Sequence, residues 1–179
     1  MISASPSSSS HPRLNLPGLI VFSLPGVCIG ALAVALSVYL PRYYAGHYGL
    51  GLAAVGLAFG TVRLFDTLLD PFIGVWMDRT RTRLGRYRVW LAAGAPALTI
   101  PVFMLFTPPV AVNYLYLIVW LFIYYTGISL VTLSHLSWAS VIAPTYHERS
   151  RMFGAIQVVG ILGATAPAAR AMWAPWAGS

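Results

Sequence analysis

The stretch TVRLFDTLLDPFIGVWMDRT (Thr61–Thr80) closes an apolar run that begins near Gly49 and carries two aspartates in its interior. From 49 to 77 the run has more than the ~20 residues a helix needs to cross about 30 Å of hydrocarbon, so it is expected to tilt or to project. It ends abruptly in DRTRTRLGRYR (Asp78–Arg88). The rest of the chain has the same texture: 179 residues, 58% hydrophobic and only 8% charged, with a mean hydropathy of +0.74. Soluble domains carry about 25% charged residues. Too few charges remain to clothe a water-facing surface, and a single cysteine, Cys28, excludes a disulfide scaffold. No strand-period alternation suggests a barrel. The fold class expected is therefore all-α, a polytopic transmembrane helical bundle.

Working outward, five spans are expected, at about 17–40, 49–77, 89–106, 112–142 and 152–165. Pro25 is placed as a kink in the first and Pro41 as its end, while Pro96 and Pro101 fall inside the third. Residues 1–16 hold six serines and two prolines and are expected to be a disordered cytoplasmic tail, with no cleavage site after the first apolar run. Residues 166–179, an Ala/Pro/Trp-rich end, are too short for a sixth span.

All eleven basic residues are arginine. Arg13, the five arginines at 79–88, Arg149 and Arg151 fall on one face, against Arg42 alone in the two opposite loops. Basic loops stay inside, which puts the N-terminus in the cytoplasm of a multi-pass protein of the cell (inner) membrane. Such a charge balance also fits nucleic-acid binding, but the chain is too apolar for it. The basic loop has a topological role and suits anionic head groups. A sharper role is a gate, with Asp78 at the end of the second span pairing with Arg79, Arg83 or Arg149 in one conformation of a rocking transporter.

Asp66 and Asp70 lie one helical turn apart, and Arg63 precedes Asp66 by three, on roughly the same face. Each aspartate at mid-membrane costs about 2.5–3.5 kcal/mol on insertion scales, and two like charges so close add to it. Helix packing requires no such expense. The compensations are a bound cation, a proton held by one carboxyl, or a salt bridge to Arg63. Pro71 has no amide hydrogen for the Thr67 carbonyl, which leaves that oxygen, with the Thr67 hydroxyl, as a further cation ligand. A structural Arg63–Asp66 pair beside a hydrated Asp70 is the alternative. No metal-ligand spacing, nucleophile elbow or phosphate loop is present, so no catalytic residue, metal site or cofactor is assigned, and the chain is not read as an enzyme.

The segments RLFDTLLDPFIGVWMDRTRTRLGRYRVW (Arg63–Trp90), YHERSRMFG (Tyr146–Gly154) and YLPRYY (Tyr39–Tyr44) together resemble the glycoside–pentoside–hexuronide cation symporters. These form the melibiose-carrier-like branch of the major facilitator superfamily. The resemblance covers about residues 17–165. It implies the N-terminal portion of a twelve-helix carrier whose C-terminal half is missing from these 179 residues. Transport would be of a sugar or glycoside, driven by Na+, Li+ or H+, with the family's acidic cation pair falling on Asp66 and Asp70.

At the family's sugar-site positions the sequence departs. The first span has no acidic residue, the fourth offers Thr132, His135, Ser137 and Trp138, and the fifth offers Gln157 where a charged residue is usual. His135, Trp138 and Gln157 are the substrate-binding candidates, although a packed tryptophan and an internally bonded histidine explain the first two equally well. The expected function is cation-coupled symport of a sugar, with the 179 residues inactive alone. The alternatives are a non-transporting five-helix membrane protein and a transporter of a non-sugar substrate.

Overall fold

A computed structural model describes residues 16–82, 85–108, 112–143 and 145–173, with side chains from 18 to 166. The serine-rich stretch up to residue 15, Arg83, and residues 174–179 lie outside the described set. Among the described residues there is no strand. The helices are α1 (Leu16–Ser23), α2 (Pro25–Val34), a π-helical segment (Ala35–Tyr39), α3 (Leu40–His47), α4 (Leu52–Arg79), α5 (Arg86–Phe106), α6 (Tyr114–Ile142) and α7 (Tyr146–Trp173). Four helical stretches, Gly18–His47, Leu52–Arg79, Arg86–Phe106 and Tyr114–Ile142, are long and apolar enough to cross a bilayer. Leu57, Leu64, Phe72, Ile161 and Leu162 all point outward, as side chains do when the solvent is lipid.

The first span is continuous through Pro41 and ends at His47, beyond the position expected for its stop. Pro41 withholds the amide that the Ser37 carbonyl would take. The chain answers by widening to a π-turn, in which the Leu40 amide donates to the Ala35 carbonyl five residues back. Pro25 acts as expected. The helix tightens at Leu24, whose amide reaches only three residues back, to the Val21 carbonyl (3.3 Å), while its backbone stays helical. The last helix also differs from its expected limits. It starts at Tyr146, where Thr145 caps it by accepting from the Glu148 amide, and it runs on past residue 165 to Trp173.

Apolar lipid gives two apolar helices no reason to associate, so close packing must do it. α2 lies on α7 through glycines: a Cβ on Gly30 would collide with the Gly160 carbonyl, and one on Gly163 with the Val27 backbone. α5 lies on α6 in the same manner, with Gly127 against the Ala97 carbonyl, and α4 packs on the other side of α6. Two apolar clusters result. One gathers Leu36, Leu40, Tyr44, Val55, Val62, Leu117, Leu121 and Tyr124, pinned by the Tyr44 hydroxyl donating to the Leu105 carbonyl (3.0 Å). The other, toward the arginine-rich face, gathers Ala139, Ala143, Met152 and Ile156 with Leu19 and Phe22 packed on them. Between them lies a polar layer, and it holds both aspartates.

Candidate cation and substrate site

α4 carries Asp66 into the interface with α6, where the side chain is 2% exposed. Both of its oxygens are engaged. Arg63 Nη1 donates to Oδ2 (3.1 Å) and Ser129 Oγ of α6 donates to Oδ1 (3.0 Å). The Arg63 guanidinium also lies over the Tyr125 ring, 5.4 Å from its centroid. Asp66 is thus neutralised within the protein, by a partner three residues away and a hydroxyl from across the helix interface.

Asp70 is placed differently. Its Oδ1 is buried and has no hydrogen-bond partner among the described residues. An orphaned buried acceptor costs about 1–3 kcal/mol, and more when it is ionised. Asp70 lines a cavity of about 460 Å³ shared by three walls: Ala33, Leu36 and Ser37 of the first span, Arg63 and Asp70 of α4, and Tyr124, Tyr125, Ser129 and Thr132 of α6. Pockets that hold small ligands run from about 300 to 1,000 Å³. The Tyr124 hydroxyl, on the α6 wall of the same cavity, is also buried without a partner among the described residues.

The other candidates fall elsewhere. Thr67 is exposed on α4 and its hydroxyl donates back to the Arg63 carbonyl (2.9 Å). Pro71 sits inside α4 without ending it. His135 is buried on α6, with Nε2 donating to the Phe22 carbonyl (2.8 Å) and its ring stacked on Phe22 at 4.6 Å. Trp138 meets Phe22 edge-on at 5.3 Å, and Arg88 covers its ring at 5.2 Å. Gln157 is exposed on α7. The structure therefore joins His135 to Trp138 through Phe22, but does not bring Thr67, His135, Trp138 or Gln157 to the wall that holds Asp70. At the arginine-rich face, Asp78 meets Arg86 at 3.5 Å. Arg79 is exposed at the end of α4, and Arg149 Nη2 donates to the Ser140 carbonyl (3.2 Å). Ser129 was not foreseen, because its contact with Asp66 depends on how α4 and α6 register.

Residues 21–177 match the family model described as MFS/sugar transport protein. The chain belongs to that family. It is a multi-pass membrane protein built from part of the family's helical bundle. It is 40% identical over 123 residues, 69% of its length, to the uncharacterized symporter YnaJ of Bacillus subtilis, of which it covers 26%. It is 30% identical over 73% of its length to the isoprimeverose transporter of Lactiplantibacillus pentosus, of which it covers 28%. Over 79% of its length it is 28% identical to the glucuronide carrier protein homolog of Escherichia coli, of which it covers 32%. The chain thus spans about a quarter to a third of the length of these three relatives. No solved structure matches it.

Proposed function

We propose that this chain supplies the cation-coupling helices of a sugar or glycoside symporter, with the driving Na+ or H+ held at Asp70 beside the Asp66–Arg63 pair. The observation that carries this is the unpartnered, buried Asp70 oxygen on the wall of a cavity between three membrane-spanning segments. A carboxylate in lipid-surrounded protein is retained where it has something to hold. Asp66 already has Arg63 and Ser129, so Asp70 is the open position, and the site as a whole lacks one positive charge. That deficit suits a monovalent ion. The relatives' names, a symporter, a transporter of isoprimeverose and a glucuronide carrier homolog, support a sugar as the co-substrate.

In this proposal the sugar lies in the cavity, against Tyr124, Tyr125 and the Arg63 guanidinium. The greater length of the relatives fits a cavity completed by further helices from the same carrier. The arginine bias supports an N-terminus on the cytoplasmic side of a cell membrane. The exposed Asp78–Arg86 contact serves as a gate: pairs of this kind contribute only about 0–1 kcal/mol, little enough to break in each cycle; Arg79, Arg83 and Arg149 are the further gating candidates.

Uptake of a panel of labelled glycosides by the full-length gene product, with imposed gradients of Na+, Li+ or H+, tests the proposal. Stimulation of one substrate by one cation is the expected result. Accumulation that ignores every cation gradient would remove the coupling role from Asp70.

A further inference from the structure

Two tyrosines of this bundle spend their hydroxyls on helix carbonyls. Tyr44 of α3, fully buried, donates to the Leu105 carbonyl (3.0 Å), and Tyr116 of α6 donates to the Met104 carbonyl (2.8 Å). Both bonds fasten their rings to α5. Tyr124 is placed otherwise. The residue is 2% exposed, yet its hydroxyl has no hydrogen-bond partner among the described residues. Two other buried side-chain oxygens among the described residues share that state, Asp70 Oδ1 and Thr126 Oγ1. Tyr124 and Asp70 line the cavity, whereas Thr126 does not.

Height in the bundle separates the two groups that do. Arg63 lies over Tyr125 and Asp66 meets Ser129, so α4 and α6 run in the same direction with these pairs level. Asp70 is one turn beyond Asp66 toward the arginine-rich face, and Tyr124 precedes Ser129 by more than a turn on the other side. Helix rise then puts about 14 Å between their levels. Hard cations hold oxygens at about 2.0–2.6 Å, so one ion does not serve both. Asp70 takes the cation in the proposed function, and the Tyr124 hydroxyl needs a partner of its own. Packing does not ask for that hydroxyl, because phenylalanine would fill the same space beside Leu36, Leu40 and Val62 with no polar group to satisfy. Packing does hold the ring, with Tyr125 edge-on to it at 5.4 Å, and a polar group on a held ring loses little freedom when it binds.

We propose that Tyr124 is a specificity-determining residue: its hydroxyl pairs with one hydroxyl of the bound glycoside, away from Asp70, and the site thereby rejects sugars that lack that hydroxyl. This role rests on the proposed function of the cavity. A phenol both donates and accepts, as a sugar hydroxyl does, and leaving a buried polar group unpaired weakens binding about five- to 150-fold. The test uses the full-length carrier in detergent, the glycoside that gives the strongest uptake, and each of its monodeoxy analogues. Affinities are read from the rise in unfolding midpoint with ligand concentration. In the parent, at least one analogue is expected to bind more weakly than the glycoside by that factor. In Tyr124→Phe the glycoside is expected to weaken to the level of that same analogue, and the two should bind equally. Without ligand, Tyr124→Phe should unfold no lower than the parent, since no bond is lost. A clearly lower midpoint would show the hydroxyl bonded within the protein and would overturn the role. Discrimination among the analogues that Tyr124→Phe leaves unchanged would show that the hydroxyl holds water only, and would overturn it while leaving the sugar in the cavity. If no glycoside raises the parent's midpoint, the sugar reading of the cavity falls, and the role of Tyr124 falls with it.

Discussion

Asp66 and Asp70 are the same residue type one turn apart, yet one is satisfied and the other is not. The difference comes from Arg63 and Ser129, both of which reach Asp66. It separates the effects of two isosteric substitutions. Asp70→Asn removes a charge that has no partner among the described residues, so the fold is expected to survive while cation stimulation of uptake is lost. Asp66→Asn keeps an oxygen for Ser129 but releases Arg63, and a hydrogen bond to a charged group contributes about 1.5–3 kcal/mol. Cation dependence is expected to fall there too, now with a lower unfolding midpoint in detergent. Uptake and thermal unfolding, measured together on both variants, check the distinction; equal loss of stability would show that both carboxylates are structural. The pair and its cost were legible from spacing inside an apolar run. Ser129 was not, because a contact across 63 residues depends on helix register, and neither hydropathy nor local spacing encodes that. His135 is legible both as a substrate-binding group and as an internally bonded histidine, and the sequence does not point to the Phe22 carbonyl that it meets across the helix interface.

At the scale of elements, four helical stretches among the described residues are long and apolar enough to cross a bilayer, and the first of them does not stop at Pro41. Pro41 stops a helix only when the lost amide has no substitute, and a π-turn supplies one. The glycines carry more of the assembly than hydropathy reveals, since only tertiary contact distinguishes Gly30, pressed on the Gly160 carbonyl, from Gly56, which has nothing within 4 Å of an added Cβ. Both occupy helix interiors and both become alanine at the same intrinsic gain. Gly30→Ala forces the α2–α7 crossing apart, at about 1–3 kcal/mol for overpacking a tight contact. Gly56→Ala meets open space and is expected to gain about 0.5–1 kcal/mol in helix preference. Unfolding midpoints in detergent should therefore move in opposite directions. A fall of equal size in both would mean that α4 uses Gly56 for a close contact of its own.

For the whole molecule, the arginine bias and the site charge make separate demands. With the N-terminus in the cytoplasm, thiols placed at Arg81 and His147 in a Cys28→Ser background should react with impermeant reagent from the cytoplasmic side, and one at His47 from outside; the reverse pattern would invert the topology. The charge of the polar layer then fixes what moves. Arg63 offsets one of the two aspartates, and in the proposed symport one monovalent cation matches the other. By linkage, whatever that cation adds to the affinity for sugar, sugar adds to the affinity for the cation. In the proposed symport, a neutral glycoside enters with one net positive charge per turnover. One charge across 100 mV carries about 2.3 kcal/mol, so an inside-negative potential of that size should raise the limiting accumulation of a neutral glycoside about fiftyfold. A glycoside bearing one carboxylate should accumulate without regard to potential, because its charge cancels that of the cation. Proteoliposomes with a clamped potassium diffusion potential measure both, and Asp70→Asn should abolish the voltage response for the neutral substrate. A response twice as steep would require a second cation, and Asp66 would then have to leave Arg63 to hold it.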